Sequence, residues 1–205
     1  MTLNAVVLAT RNKGKIREFS EMLQNFQLNV LGLDDFPEIG EIEETGVTFE
    51  ANARIKASEV AKATGLVAIA DDSGLEVDAL DGAPGVFSAR FSAPNPTDEK
   101  NNALLLEKLQ GVPYEKRTAR FRCVMLAYAP DGQELCADGS WEGHIAEQPE
   151  GDNGFGYDPL FVDSISGKHS ACLSRDEKNA RSHRGKALRK LLEDWPFFWG
   201  RVKHS

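Results

Sequence analysis

Residues 119–132 read ARFRCVMLAYAPDG, and this stretch decides the fold because it predicts a β-hairpin. It begins with alternating side chains, with Phe121 and Cys123 on one face and arginines on the other. That period is typical of a strand with one solvated face. The Pro-Asp-Gly at residues 130–132 predicts a turn that leads back toward Leu135.

Upstream of this hairpin, apolar runs of strand length alternate with helical patterns. Strands are predicted at residues 5–9, 28–33 and 66–70, and the first and third of them are predicted to be buried. Helices are predicted at residues 15–23, 48–63, 97–109 and 180–192. Gly65 is placed to end the second helix, Thr97 to open the third and Gly111 to stop it. Early β-α units followed by a hairpin predict an α/β fold with a mixed sheet.

Composition predicts one globular domain over residues 1–205, since the chain is 41% hydrophobic and 27% charged. A net charge of −8 argues against bulk binding to nucleic acid or to an anionic membrane, so small molecules are the favoured ligands. No run approaches the roughly 20 apolar residues of a membrane span. The 3 cysteines lack C-x-x-C spacing, which indicates neither a disulfide framework nor a zinc site and favours the cytoplasm.

Charge is segregated along the chain. No Lys or Arg lies between Glu18 and Phe49, whereas residues 168–203 carry ten basic residues against four acids. One interpretation is two solvated faces of opposite sign. The other is an acidic wall that holds a metal ion opposite a basic wall that holds phosphate.

The turn TRNKGK, residues 10–15, lies between the first predicted strand and helix. Amide groups at a helix N-terminus attract anions, Gly14 permits a close backbone approach, and Lys15 adds a positive charge. The turn is therefore either a phosphate cradle or an ordinary structural turn. It is not a Walker A loop, because Ala9 stands where that motif requires its first glycine.

Two adjacent carboxylates, Asp71 and Asp72, follow the predicted strand at residues 66–70. Like charges in a partly dry site raise each other's pKa unless a cation neutralises them, and Mg²⁺ is suited to that role. The alternative is a turn in which Asp and Ser side chains bond their own backbone. Successive residues of an extended segment point to opposite sides, so only one of the two is expected to face a site.

The glycine-rich segment GDNGFGYDP, residues 151–159, carries two aromatic side chains. Phe155 and Tyr157 either offer a flat face to a base or fill the core. Asp158 either accepts hydrogen bonds from a base edge or a ribose, or caps the turn before the proline.

Donor side chains lie near the start of the last predicted helix. Ser182 is a plausible N-cap, and His183 and Arg184 would then lie beside a helix N-terminus. The planar guanidinium of Arg184 suits carbonyl or phosphate oxygens. A single histidine such as His183 is also commonly structural.

Taken in order, these segments resemble the inosine triphosphate pyrophosphatase family, and the resemblance covers almost the whole chain. It rests on ATRNKGK at 9–15, EETG at 43–46 with Thr48, Phe49 and Asn52, ADDSGL at 70–75, GAPG at 82–85 with SAR at 88–90, GFGYDP at 154–159, and Lys178 with SHRG at 182–185. The related Maf-like pyrophosphatases share the general fold but carry a Ser-x-Ser-Pro-Arg-Arg first loop, which is absent from this sequence.

The resemblance implies an elongated α/β fold with a long mixed sheet flanked by helices, two lobes around a cleft, and a homodimer. It also implies Mg²⁺-dependent hydrolysis of inosine, deoxyinosine and xanthosine triphosphates to the monophosphate and pyrophosphate. Such an activity removes deaminated purines from the nucleotide pool before they enter DNA or RNA.

The resemblance also implies a role for each site residue. The triphosphate is bound by the first loop, which consists of Thr10, Arg11, Asn12, Lys13, Gly14 and Lys15. Glu44 and Asp72 hold Mg²⁺, and Asp72 doubles as the proton acceptor. The rest of the substrate is contacted by Ser73, by the base-stacking segment of Phe155, Gly156, Tyr157 and Asp158, and by Lys178, His183 and Arg184 at the purine edge.

Three alternatives stay open. A Maf-like pyrophosphatase would prefer other bases. A nucleotide-binding regulator would bind the triphosphate without releasing pyrophosphate. A nucleic-acid-binding module would use the basic C-terminal part of the chain and bind with strong salt dependence.

Overall fold

Six strands form one mixed sheet in the computed structural model, which describes residues 5–12, 16, 19–20, 23 and 28–202. In chain order they are β1 Ala5–Leu8, β2 Asn29–Gly32, β3 Val67–Val77, β4 Thr118–Tyr128, β5 Glu134–Ile145 and β6 Phe161–Asp163. The order across the sheet is β2-β1-β3-β4-β5-β6. β1 pairs in parallel with β2 and β3, and β6 pairs antiparallel with β5. The predicted α/β fold with a mixed sheet is confirmed.

The helices with described bounds are α1 Phe49–Thr64, α2 Asp98–Lys108, α3 Arg175–Arg181 and α4 His183–Arg201. Short 3-10 helices lie at Leu33–Asp35, Asp78–Leu80, Gly85–Arg90, Tyr114–Lys116 and Ser170–Cys172. Thr97 caps α2 and Gly65 ends α1, as predicted. Thr48, where the sequence predicts the start of this helix, is its N-cap, and Gly65 adopts the left-handed conformation. In the predicted helix at 15–23, the described residues Ile16, Phe19, Ser20 and Leu23 are helical.

No helix among the described residues is long and apolar enough to cross a membrane.

The chain divides into two compact units by its internal contacts. The first unit comprises Met1–Asp72, Val124–Ala137 and Arg189–Ser205, and the second comprises Ser73–Cys123 and Asp138–Leu188. Each unit has buried apolar side chains of its own, such as Val7 and Val60 in the first and Leu105 and Phe161 in the second. The single domain expected over residues 1–205 stays a prediction.

β3 is longer than the sequence indicates. The prediction that this strand ends after residue 70 is wrong, because it continues through Asp71 and Asp72 to Val77. Leu75 and Val77 are fully buried, so their burial favours an extended chain beyond the carboxylates. The alternative of a turn at residues 71–74 is therefore excluded.

β4 has a solvated face only in its first half. Arg120 and Arg122 are partly exposed as predicted, but every residue from Cys123 to Ala127 is buried. Both faces of that part of the strand therefore lie in the core.

The last helix also departs from its predicted bounds, because α4 runs on to Arg201 with Pro196 inside it. A proline in a helix lacks an N–H donor and usually marks an end. Here Trp195 and Phe198 are buried on either side of it, and their burial favours continuation of the helix. Ser182 accepts a hydrogen bond from Gly185 N at 3.1 Å, which confirms it as the N-cap.

Asp163, the last residue of β6, is a fully buried carboxylate in the second unit. Trp141 Nε1 donates to it at 2.8 Å, Ser166 Oγ at 2.7 Å and Arg181 at 3.0 Å. Burial raises its pKa, but the hydrogen bonds from Ser166 and Trp141 outweigh burial and hold the pKa at about 2. Ionised Asp163 therefore joins β6 to β5 and to α3.

We expect Asp163→Asn to lower the free energy of unfolding at pH 7 by at least about 2 kcal/mol. The folded-state pKa lies below the unfolded value of about 3.9, so the ionised group stabilises the fold above pH 4. That contribution is lost as the pH falls through the folded pKa. Urea denaturation of both proteins at pH 7, 4 and 2.5 should show the difference shrinking at the lowest pH. Asp194→Asn, at an exposed position of α4, is the control. A difference independent of pH would contradict the prediction.

Candidate active site

Lys56, on α1 in the first unit, lies among several oxygen atoms. Its Nζ donates to Glu44 Oε1 at 2.7 Å and to the Asp71 carbonyl oxygen at 2.7 Å. It also lies 3.8 Å from Asp72 Oδ1. The two residues expected to hold a metal ion, Glu44 and Asp72, therefore converge on one positive charge.

Asn52 fixes both sides of this arrangement from one turn earlier on α1. It is fully buried, and its Nδ2 donates to Asp72 Oδ2 at 3.0 Å. Its Oδ1 accepts from Gly46 N at 2.8 Å, in the segment that carries Glu44. A Cβ at Gly46 would lie 2.6 Å from that oxygen, so this approach requires glycine. Asn52 thereby fixes the position of the Asp72 carboxylate relative to the segment that carries Glu44.

Lys56 is not among the site residues that the sequence predicts. It lies four residues after Asn52, so both side chains lie on the same face of α1. Asn52 belongs to the motifs that carry the family resemblance. A residue four positions further along the same predicted helix, such as Lys56, could therefore have been predicted to lie beside it.

The two carboxylates fit a hard divalent cation. Among the described residues, no group of three or more His, Cys, Asp and Glu side chains is placed to hold a metal ion. Mg²⁺ commonly takes only one or two protein carboxylates and completes its shell with phosphate oxygens and waters. Glu44 and Asp72 already contact one ammonium group, so their oxygens are within reach of a shared cation.

The described part of the first loop is held against residues 33–39. The Arg11 guanidinium donates to Leu33 O at 3.0 Å and to Ile39 O at 2.6 Å, and it pairs with Asp34 at 3.3 Å. Thr10 Oγ1 accepts from Asn12 N at 3.1 Å. The contacts of Arg11 therefore favour a bracing role, and its part in substrate binding stays a prediction. Lys13, Gly14 and Lys15 lie outside the described residues.

A cavity of about 410 Å³ opens beside this loop in the first unit. Thr10, Arg11, Glu41 and Lys56 are among its lining residues. The predicted phosphate loop and the lysine between the carboxylates thus face the same space.

In the second unit, Asp158 closes the glycine-rich loop at residues 154–158. Its carboxylate is buried and accepts from Phe155 N at 2.9 Å and from Ser170 Oγ at 2.7 Å. Lys178 Nζ also donates to it. A Cβ at Gly154, where φ is +83°, would overlap the same carboxylate. These contacts favour the structural role of Asp158 that the sequence left open.

The two aromatic side chains of the loop have opposite surroundings. Phe155 is 63% exposed, with Lys178 Nζ 5.5 Å from its ring centroid. Tyr157 is buried in the core, and its hydroxyl donates to Ser88 O at 2.8 Å. Burial, together with the negative charge of Asp98, raises the pKa of Tyr157 far above its ordinary value. Phe155 is therefore the ring available to a ligand, and the Tyr157 side chain fills the core.

The remaining predicted residues of the second unit lie near the start of α4. Arg184 Nη2 lies 3.4 Å from Ser73 Oγ. His183 is buried and stacks on Phe121, with ring centroids 5.0 Å apart. The structure therefore brings Ser73 and Arg184 together, and it packs the His183 ring against a core aromatic side chain.

The fold and these carboxylates define an α/β protein with a candidate cation site beside its third strand. A family model described as the Ham1 family matches residues 6–194. The chain belongs to the Ham1 family.

Among curated relatives, the chain is 66% identical over 205 residues to a dITP/XTP pyrophosphatase of Nitratidesulfovibrio vulgaris, covering 97% of this chain and 99% of that protein. It is 50% identical over 194 residues to a dITP/XTP pyrophosphatase of Streptococcus pyogenes serotype M18. That match covers 94% of this chain but 59% of the streptococcal protein.

Two solved structures have the same fold over most of their length. A HAM1 protein from Coxiella burnetii superposes with a TM-score of 0.89 at 42% identity, covering 94% of this chain and 98% of that one. The Ham1 protein of Staphylococcus aureus gives a TM-score of 0.88 at 40% identity, with the same coverage.

Proposed function

We propose that this protein hydrolyses noncanonical purine nucleoside triphosphates to the monophosphate and pyrophosphate. The substrates are the triphosphates of inosine, deoxyinosine and xanthosine, so the reaction clears deaminated purines from the nucleotide pool. The observation that carries the proposal is the convergence of Glu44 and Asp72 on Lys56 beside the first-loop cavity. The relative that matches almost the whole chain at 66% identity bears the name of this activity.

Mg²⁺ is the proposed cofactor, held by Glu44 and Asp72. When bound, it would neutralise negative charge on the phosphate oxygens and so assist the departure of pyrophosphate. The carboxylate oxygens of both residues are hard ligands of the kind that Mg²⁺ prefers.

The residues of the first unit perform the proton transfer and bind the phosphates in this proposal. The oxygen of a water molecule bonds to phosphorus while the α–β phosphoanhydride bond breaks and pyrophosphate leaves, and the Asp72 carboxylate accepts one proton of that water. Asn52 donates to the other oxygen of Asp72 and so keeps the carboxylate oriented. Lys56 and the first loop, including Lys13, Gly14 and Lys15, stabilise the negative charge of the phosphates.

The residues of the second unit select the base. Phe155 offers an exposed ring for stacking, and Lys178, His183 and Arg184 supply donors for the purine edge. Inosine and xanthosine present a 6-oxo acceptor where adenosine presents an amino donor. A buried donor left unpaired costs about 1–3 kcal/mol, so each such contact rejects adenosine by roughly tenfold to a hundredfold.

The proposed setting is a homodimer in the cytoplasm that acts on free nucleotides rather than on nucleic acid or membranes. Light scattering at micromolar concentration tests the dimer, which should scatter as twice the mass of the 22.5 kDa chain.

Pyrophosphate release from a panel of purine and pyrimidine triphosphates, with Mg²⁺ and with a chelator, tests the proposed function. We expect release from inosine, deoxyinosine and xanthosine triphosphates, and its loss on removal of the metal. Equal activity on adenosine or cytidine triphosphate would refute the proposed specificity. Binding of inosine triphosphate without release would instead identify a regulator.

A further inference from the structure

Two side chains of α2 hold the backbone of Gly156 in the second unit. Asp98 Oδ2 accepts from Gly156 N at 2.6 Å, and Asn102 Nδ2 donates to Gly156 O at 2.8 Å. Asp98 and Asn102 are four residues apart, so they lie on the same face of the helix. The two peptide groups on either side of Gly156 are therefore both fixed from one helix.

The chemistry of each side chain matches its partner. An ionised Asp98 can only accept, as the N–H requires, whereas the Asn102 amide offers the donor that the carbonyl requires. The Asn102 Oδ1 atom is buried and has no hydrogen-bond partner among the described residues. Rotating the Asn102 amide by 180° would place its Oδ1 against the Gly156 carbonyl oxygen. The Gly156 carbonyl group therefore fixes the orientation of the Asn102 amide.

The held residue directly follows the exposed ring. Gly156 has a φ of +62°, in the left-handed region, and Phe155 is 63% exposed. A ring with so little burial has few packing contacts, so the backbone that carries it limits where the ring can lie. Asp158 fixes the N–H of Phe155, Asp98 fixes the peptide group that follows Phe155, and Asn102 fixes the peptide group after Gly156.

We propose that Asp98 and Asn102 are positioning residues that set base selectivity by fixing Gly156 and hence the Phe155 ring. This inference rests on the proposed function, since it assigns the ring the role of base platform. Neither side chain needs to touch the nucleotide. Loss of either contact lets the loop move, so the energetic difference between a matching and a non-matching base shrinks.

Isosteric substitutions separate this role from a simple effect of charge. Asp98→Asn keeps an acceptor oxygen for Gly156 N and should behave like the wild-type chain. Asn102→Asp replaces the donor with an acceptor facing a carbonyl and should behave like Asn102→Ala. Asp98→Ala removes the other contact, and Glu107→Ala, at an exposed position of the same helix, is the control.

Two measurements test the proposal. Hydrogen exchange at the Gly156 amide should accelerate in Asp98→Ala, Asn102→Ala and Asn102→Asp but not in Asp98→Asn or Glu107→Ala. The ratio of kcat/KM for inosine over adenosine triphosphate should fall about tenfold in the same three variants. A merely structural role would lower both values of kcat/KM together and leave their ratio unchanged.

Unaltered hydrogen exchange at the Gly156 amide in all variants would show that Asp98 and Asn102 do not hold Gly156. Faster exchange with an unchanged ratio of kcat/KM values would show that this hold does not set base selectivity. If the wild-type chain releases no pyrophosphate, the proposed function fails separately. The ratio is then taken from calorimetric Kd values for the two triphosphates, and it decides the selectivity role by the same criterion.

Discussion

Asp72→Asn is expected to lower the turnover of inosine triphosphate about 10³-fold while leaving the fold intact, because it removes the proposed proton acceptor. The amide has nearly the same shape as the carboxylate, and its oxygen can still accept the hydrogen bond that Asn52 Nδ2 now gives at 3.0 Å. What is lost is the negative charge 3.8 Å from Lys56 and one of the two proposed ligands of Mg²⁺.

Initial rates of pyrophosphate release, with thermal unfolding followed by circular dichroism, check this expectation. Glu59→Gln is the matched control, since it makes the same chemical change at an exposed position of α1. Turnover near the wild-type rate in a folded Asp72→Asn protein would remove Asp72 from the mechanism. A large fall in the melting temperature would show that the carboxylate acts in folding instead.

Local sequence signals predicted much of the fold. The Thr97 cap, the end of α1 at Gly65 and the hairpin turn before β5 each depend on a few adjacent residues. Such short-range preferences act whatever the rest of the chain does. They were therefore accessible without the structure.

The errors arose where burial overrode a local preference. Adjacent aspartates disfavour a buried strand, yet β3 continues past them because Leu75 and Val77 lie in the core. Pro196 disfavours a helix, yet α4 continues because Trp195 is buried beside it. Burial is decided by distant parts of the chain, so single-sequence patterns do not contain it.

In the candidate site, too, local motifs predicted some features, whereas contacts between distant residues decided others. The motifs include Glu44, Asn52 and Asp72, but they do not predict the hydrogen bond between Asn52 and Asp72, which are 20 residues apart in sequence. Phe155 and Tyr157 are alike in sequence, and only the structure shows one exposed and the other in the core. The hold of Asp98 on Gly156 spans 58 residues and has no local signature.

Lys56→Gln is expected to lower both the turnover and the Mg²⁺ concentration needed for half-maximal activity. The Lys56 ammonium donates to Glu44 Oε1 at 2.7 Å and lies 3.8 Å from Asp72 Oδ1. A cation held by the same two carboxylates is repelled by that ammonium. Removing the positive charge should therefore lower the Mg²⁺ concentration needed for half-maximal activity. The same change removes a donor that stabilises charge on the phosphates, so kcat should fall about 10²-fold.

Mg²⁺ titrations of the rate, at saturating inosine triphosphate, measure both quantities on one protein. Lys62→Gln, an equivalent exchange at an exposed position of α1, should alter neither. A higher Mg²⁺ requirement in Lys56→Gln would mean that Lys56 holds the carboxylates in place for the metal rather than opposing its charge. An unchanged kcat would mean that its ammonium never meets the phosphates. A fall in kcat together with a lower Mg²⁺ requirement thus distinguishes a lysine that serves the substrate from one that only balances two carboxylates.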